Sequence, residues 1–328
     1  MGGVQEFAFE IALCGSLEPV DGVLARQLGA GVHGRRVADV VRIAPGPEFD
    51  RRRAITAETI PPLAVESGAG PGRARPVTDV FDCRPDRARA VAERAAEIGF
   101  FERERRGGRT DVRQTARYPD WVGTVTGIEN KPDLDRPGEL ADQLRTDVSL
   151  ALFDEVVLAT ETYVTGAHLN RLPDAVGVWR FNPETGDREV VREPTPLDSA
   201  GPGIELLERD PTRADVCPVT AAEKARKRRR LAERAYGKGW RPALPACANC
   251  DPRAATPSAL ADAALPWCTY HERPVRPSSE CGQACPGFEP ADSPAADPEA
   301  ARAARTGWDP DPEGLARRQA GLDRFGGG

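Results

Sequence analysis

Between Trp121 and Phe181, short apolar runs alternate with stretches of helical period, and this alternation restricts the chain to a sheet with helices packed on its faces. A strand is predicted to end at Glu129-Asn130-Lys131, followed by a helix from about Gly138 to Leu150 with Leu140, Leu144 and Val148 on one stripe. A strand over 155–160, a short helix over 162–171 and a strand over 176–181 complete the pattern. Upstream, residues 4–14 read as a mostly apolar helix and 19–32 as a helical continuation after a turn. The run Val37-Ala38-Asp39-Val40-Val41, closed by Pro45-Gly46-Pro47, is a buried strand with an anomalous carboxylate at its centre.

Residues 46–117 differ in character. A helix is expected near Thr56 and a Gly/Pro-rich loop at 67–76; a second helix runs from Pro85 to Gly99 with Val91, Ala95 and Ile98 on one face. A ribbon with its tip at Gly107-Gly108 follows and carries Arg103, Arg105, Arg106, Arg109, Arg113 and Arg117. Helices followed by a glycine-tipped ribbon resemble a winged-helix module inserted into the α/β frame. The frame resumes over 118–195. Beyond it lie a linker and basic helix (196–242), a Cys-rich segment (243–290) and a tail (291–328) whose Ala, Asp, Pro and Gly content predicts disorder.

Of 328 residues, 45 are basic and 51 acidic, so a basic cluster stands out against a net charge of -6. Only Lys131, Lys224, Lys227 and Lys238 are lysines, and there is a single Met, a composition that suits a GC-rich or salt-adapted cytoplasm. Residues 222–241 hold nine basic and two acidic side chains. They predict a phosphate-backbone contact through Lys224, Lys227, Arg228, Arg229, Arg230 and Lys238, with Trp240 and Tyr236 available for stacking and Arg105, Arg106 and Arg109 of the ribbon adding to the grip. No apolar run approaches the ~20 residues a bilayer span requires, and the N-terminus lacks signal-peptide character, so a cytoplasmic protein without a membrane role is expected. With three His and no glycine-rich phosphate loop, a Ser-His-Asp hydrolase and nucleotide-driven chemistry are both unsupported.

Five of the eight Cys fall between 247 and 285, a clustering that favours metal over disulfides. Cys247-x2-Cys250 and Cys268-x2-His271 are paired knuckles of the kind that share one structural Zn²⁺. Cys281 and Cys285 offer other tetrads: Cys247, Cys250, Cys281 and Cys285, or Cys250, Cys268, Cys281 and Cys285. Cys14 and Cys83 read as buried small hydrophobes.

Glu129 and Lys131 lie two apart on a strand and so share a face, and Pro132 keeps Lys131 extended. A carboxylate that binds a hard divalent cation, beside an amine that assists water, suits metal-assisted phosphodiester hydrolysis with Mg²⁺. A second carboxylate is required. Asp39 is favoured, because an ionised Asp within a buried strand is costly unless paired or metal-bound. Asp120 is the alternative, although nine extended residues would hold it roughly 30 Å from Glu129. Glu10, within the apolar first helix, is a third candidate.

A helix Glu (Glu10), a strand Asp (Asp39 or Asp120) and a strand Glu129-x-Lys131, then a helix and a strand, resemble the PD-(D/E)XK nuclease superfamily. The resemblance covers about 1–45 and 118–185. It implies a restriction-endonuclease-like αβββαβ core, Mg²⁺ chemistry on DNA with RNA left open, and an active-site role for Gln143 on the helix after Lys131. It also makes an iron–sulfur cluster the rival to zinc, since some members carry one. Roughly 80 residues between the Asp39 and Glu129 strands depart from the usual short hairpin, and Pro119-Asp120 spells the motif's opening pair. The chain is also similar to an uncharacterised family from halophilic archaea.

Overall fold

A computed structural model describes residues 2–18, 22–135, 139–209, 212–254 and 263–314. The chain forms a mixed α/β protein of two compact units, one made of Met1–Ala44 and Thr124–Thr306, the other of Pro45–Gly123 with Gly307–Gly328.

The first unit opens with helix α1 (Gly2–Leu17). Phe7, Phe9, Ile11, Leu13, Cys14 and Leu17 are all buried, because apolar residues cover most of this helix and pack within the core, with Gln5 and Ser16 left exposed. Next come β1 (Val23–Gly29) and β2 (Val37–Pro45), an antiparallel pair. The helical continuation expected over 19–32 is therefore wrong for its described part. Pairing with β2 and burial of Val23, Leu24, Ala25 and Leu28 outweigh local helix propensity.

The second unit contains α2 (Phe49–Arg53), α3 (Pro62–Val65), β3 (Arg75–Pro76), α4 (Val77–Val80), α5 (Pro85–Glu97), β4 (Phe101–Arg106) and β5 (Arg109–Gln114). Its sheet has the order β3-β5-β4, with the β4–β5 ribbon turning at Gly107 and Gly108, both at positive φ. Ile60, Val77, Ala88, Ala92, Ala95, Phe100, Phe101 and Val112 form its own core.

The chain returns to the first unit along β6 (Val122–Asn130), α6 (Leu140–Leu150), β7 (Glu155–Thr160), α7 (Gly166–Leu169), β8 (Gly177–Phe181) and β9 (Arg188–Arg192). The six-stranded sheet runs β1-β2-β6-β7-β8-β9, with β6, β7 and β8 parallel and β9 antiparallel to β8. Gly127 of β6 is required for packing, since a Cβ there would stand 2.5 Å from the Phe153 ring.

The region after 195 is more regular than its sequence suggests. The hairpin β10 (Gly203–Arg209) and β11 (Ala214–Val219) packs against α6 through β10, and α8 (Ala221–Lys238), opened by a Thr220–Glu223 capping box, packs against β1. The short strands β12 (Trp267–Cys268) and β13 (Arg273–Pro274), then α9 (Pro277–Glu280), make up the Cys-rich segment. The disordered tail is corrected over 291–306: α10 (Pro298–Arg305) is capped by Asp297, and its buried Arg302 donates to the Tyr236 carbonyl. The rest of that expectation, over 315–328, lies outside the described residues. No helix among the described residues is long and apolar enough to cross a membrane.

Candidate active site

Three elements of the first unit bring carboxylates together. Glu10 comes from α1, Asp39 from the middle of β2 and Glu129 from the end of β6. The Gln27 amide on β1 donates to Glu10 Oε2 at 2.9 Å and to Asp39 Oδ1 at 3.2 Å, and the Asn130 backbone N–H donates to Asp39 Oδ2 at 3.0 Å. Asp147 of α6 joins through Arg36, whose guanidinium binds Asp147 at 3.0 and 2.6 Å and Glu129 Oε2 at 2.6 Å. Arg26 pairs with Glu10 at 2.6 Å.

Glu10 is 3% exposed, Glu129 6% and Asp147 4%. Burial, reinforced by the charge on Asp39, pushes the Glu129 carboxyl up to about 8 against the pull of Arg36. Burial likewise raises Glu10 to about 7, with Asp39 adding to it and Arg26 opposing. Asp147 is raised as well, by burial and, to a lesser degree, Asp39. Four carboxylates thus face two guanidiniums and, on the Glu10 side, the Lys238 ammonium, a local shortfall of positive charge in a poorly hydrated setting.

The backbone at Gln27 has φ 53°, left-handed geometry within a strand at a residue with a side chain. In the register of β1 and β2 it stands opposite Asp39. The Lys238 ammonium donates to the Arg26 carbonyl at 2.8 Å and the Gln27 carbonyl at 2.9 Å, holding this conformation from the end of α8. A residue held in a sparsely populated conformation by its surroundings is a common feature of functional sites.

Lys131 lies one residue past the end of β6, and its ammonium meets Glu6 of α1 at 2.6 Å. Gln143 does not bond to the carboxylates; it lines a cleft of about 340 Å³ with Arg35, Arg36, Thr146 and Glu205. Asp120 lies in the second unit, exposed, with its backbone N–H and C=O engaged by Glu48. Arg36, Asp147 and Gln27 are absent from the sequence expectations. Asp147 alone left a trace there: it falls at i, i+4, i+7 spacing after Leu140 and Leu144, a carboxylate in an apolar stripe.

The basic helix needs correcting as a nucleic-acid surface. Lys224 is 0% exposed and donates to the Leu150, Asp198 and Pro202 carbonyls. Arg228 binds the Leu152 carbonyl and Asp154, Lys238 serves β1, and buried Trp240 donates to Glu18. These side chains fix the helix to the unit and face inward; Lys227 is half-buried, and Arg229 and Arg230 remain exposed. In the second unit Arg105, Arg106 and Arg109 are exposed on the ribbon, Arg106 beside Glu104 and Arg109 beside Asp111.

In the Cys-rich segment, Cys247, Cys250 and Cys268 are buried, and Cys281 and Cys285 partly so. Burial, then the neighbouring Cys281, Cys247 and Cys268, push the Cys250 thiol up to about 12. His271 Nε2 contacts Cys285 Sγ at 3.5 Å. As the side chains stand, no group of three or more His, Cys, Asp or Glu among the described residues is arranged to hold a metal ion. At the carboxylates, Arg36, Arg26 and Gln27 engage the oxygens an ion would need.

No curated protein and no solved structure matches the chain. Residues 23–290 match the model of DUF5787, a family of unknown function, and the match spans the strands that carry Asp39 and Glu129 as well as the Cys-rich segment; the chain belongs to that family.

Proposed function

We propose that the chain is a Mg²⁺-dependent nuclease that hydrolyses phosphodiester bonds, with DNA as its substrate. One observation carries this reading: Glu10 and Asp39, from a helix and a strand, accept from one Gln27 amide, and Asp39 also accepts from the Asn130 backbone N–H, which brings it within electrostatic reach of Glu129 on β6. Their order, with Lys131 two residues after Glu129 and a helix and parallel strand after that, is the order of the PD-(D/E)XK superfamily, and adjacent β1, β2, β6 and β7 are compatible with its core.

The donor set suits a hard cation, being all carboxylate oxygen and short of positive charge. Glu10, Asp39 and Glu129 would hold Mg²⁺, which supplies the polarisation of the phosphate and the acidity of the attacking water. Gln27 fixes the two carboxylates it bridges, and Arg36 tethers Glu129 to α6. Lys131, tethered by Glu6, would donate to the attacking water, and Gln143 would position the phosphate at the mouth of the cleft. The second unit, with helices leading into a glycine-tipped ribbon, resembles a winged helix, and its exposed Arg105, Arg106 and Arg109 would contact the DNA backbone.

A non-catalytic DNA-binding protein on the same scaffold is the second reading. It is favoured by Arg36, which already neutralises Glu129 and Asp147. Incubating the full chain with DNA, with and without Mg²⁺, separates the two. A nuclease cleaves only with Mg²⁺ and loses at least about 100-fold in Lys131→Ala and Glu129→Gln. Salt-sensitive DNA binding without cleavage, unchanged in both variants, establishes the second reading.

A further inference from the structure

We infer that Cys247, Cys250, Cys268 and Cys281 form a tetrathiolate Zn²⁺ site that staples the Cys-rich segment onto α1. The backbone already gathers three of these residues. The Cys250 N–H donates to the Cys247 carbonyl at 3.0 Å, closing the turn of a C-x2-C knuckle. Cys250 and Cys268 face each other as an antiparallel bridge, flanked by the Asp251 N–H to Trp267 O bond at 3.0 Å and the Thr269 N–H to Asn249 O bond at 2.9 Å. Cys281 is brought in from the far side of the β12–β13 hairpin. Its thiol lies within electrostatic reach of Cys247, Cys250, Cys268 and Cys285, and a further bridge, Cys247 to Pro290, closes the loop behind it.

None of the four is in a disulfide. Four thiols, two of them on one C-x2-C turn, match the ligand type and number of a closed structural Zn²⁺ site. His271 Nε2 and Cys285 Sγ contact one another at 3.5 Å, and the thiols that act on Cys250 are Cys281, Cys247 and Cys268 and not Cys285, so the tetrad is drawn from those four. The set differs from each of the three tetrads that sequence spacing offers, Cys247, Cys250, Cys268 and His271 among them.

A segment this short has little core of its own. Leu265 and Trp267 pack instead with Phe7 and Phe9, β13 packs against α1, and the Arg276 guanidinium sits 5.1 Å over the Phe7 ring. α1 carries Glu6 and Glu10, so the metal would brace the helix behind the carboxylate cluster. Its presence does not depend on that cluster being catalytic.

Elemental analysis of the full chain, purified without chelator, tests the site. About one Zn²⁺ per chain is expected, retained in Cys14→Ser, Cys217→Ser, Cys285→Ser and His271→Ala and lost in Cys250→Ser and Cys281→Ser. Should the latter two not accumulate, wild type is titrated with a thiol reagent while a chromogenic chelator reports released zinc. Release in step with modification of four thiols supports the tetrad, as does a tetrahedral thiolate spectrum after Co²⁺ exchange. Iron with sulfide in place of zinc overturns the proposal. So does loss of metal from His271→Ala or Cys285→Ser with retention in Cys281→Ser, or a chain that binds neither Zn²⁺ nor Co²⁺.

Discussion

Glu18 and Glu129 are both buried carboxylates beside arginine, and their surroundings differ in one respect that separates structure from chemistry. Glu18, at the end of α1, accepts from the Trp240 indole at 2.8 Å, from Arg241 at 2.5 and 2.6 Å and from Arg305 at 2.8 Å. One carboxylate has two guanidiniums and an indole, and every strong acceptor direction is filled. Around Glu129 the ratio inverts, with Glu10, Asp39, Glu129 and Asp147 facing Arg26 and Arg36. The first arrangement is a clamp that joins α1, the end of α8 and α10. The second holds more carboxylates than guanidiniums, and protons on Glu129 and Glu10 relieve the surplus until a rising pH or a cation displaces them.

Charge removal should therefore act in opposite ways at the two places. Glu18→Gln leaves two guanidiniums without their counter-charge and is expected to cost about 3–5 kcal/mol in denaturant unfolding. Glu129→Gln relieves repulsion from Asp39 while Asp147 still holds Arg36, so a change within about 1 kcal/mol is expected. Equal losses would erase the distinction.

Proton linkage sharpens the contrast. Glu129 near 8 and Glu10 near 7 bind protons in the folded chain at pH values where the unfolded chain, with carboxyls near 4.5, has released them. Stability contributed by these two groups is therefore present at low pH and lost as pH rises from about 4.5 through 7 to 8. Because Mg²⁺ competes with those protons, its stabilising effect in thermal unfolding should be larger at about pH 8.5 than at about pH 6. Glu129→Gln should flatten the pH dependence, and a wild-type profile that rises over this window would contradict the charge deficit.

Parts of this contrast are legible in the sequence and parts are not. A carboxylate inside Val37–Val41 and a Glu129-x-Lys131 pair at a strand end are local patterns, and the strands form where those patterns place them. β1 is hidden because its stability comes from β2 and because Gln27 departs from strand geometry at its most informative residue. Arg36 and Asp147 acquire their roles only when β2, β6 and α6 pack, which no spacing rule encodes. The run of Lys and Arg in α8 misleads for a related reason: composition reports charge but not direction, and Lys224, Arg228 and Lys238 point at carbonyls of the protein itself.

Smaller effects probe how the site is held. At Gln27, both Ala and Gly remove the bonds to Glu10 and Asp39, but only Gly tolerates φ 53° without strain. Gln27→Gly should be more stable than Gln27→Ala by about 1 kcal/mol, the reverse of the usual strand preference, while both impair Mg²⁺ binding. Smallest of all, Arg229→Ala with Arg230→Ala on the exposed side of α8 should leave stability within about 0.5 kcal/mol, read by thermal unfolding. A large loss there would mean that this face also packs.

Calorimetric titration of Mg²⁺ into the full chain at about pH 8.5, comparing wild type with the Glu10→Gln/Glu129→Gln double variant, tests the charge deficit most directly. The account predicts saturable binding by wild type and none by the folded variant. Equal binding by the two, or no binding by wild type, would contradict it.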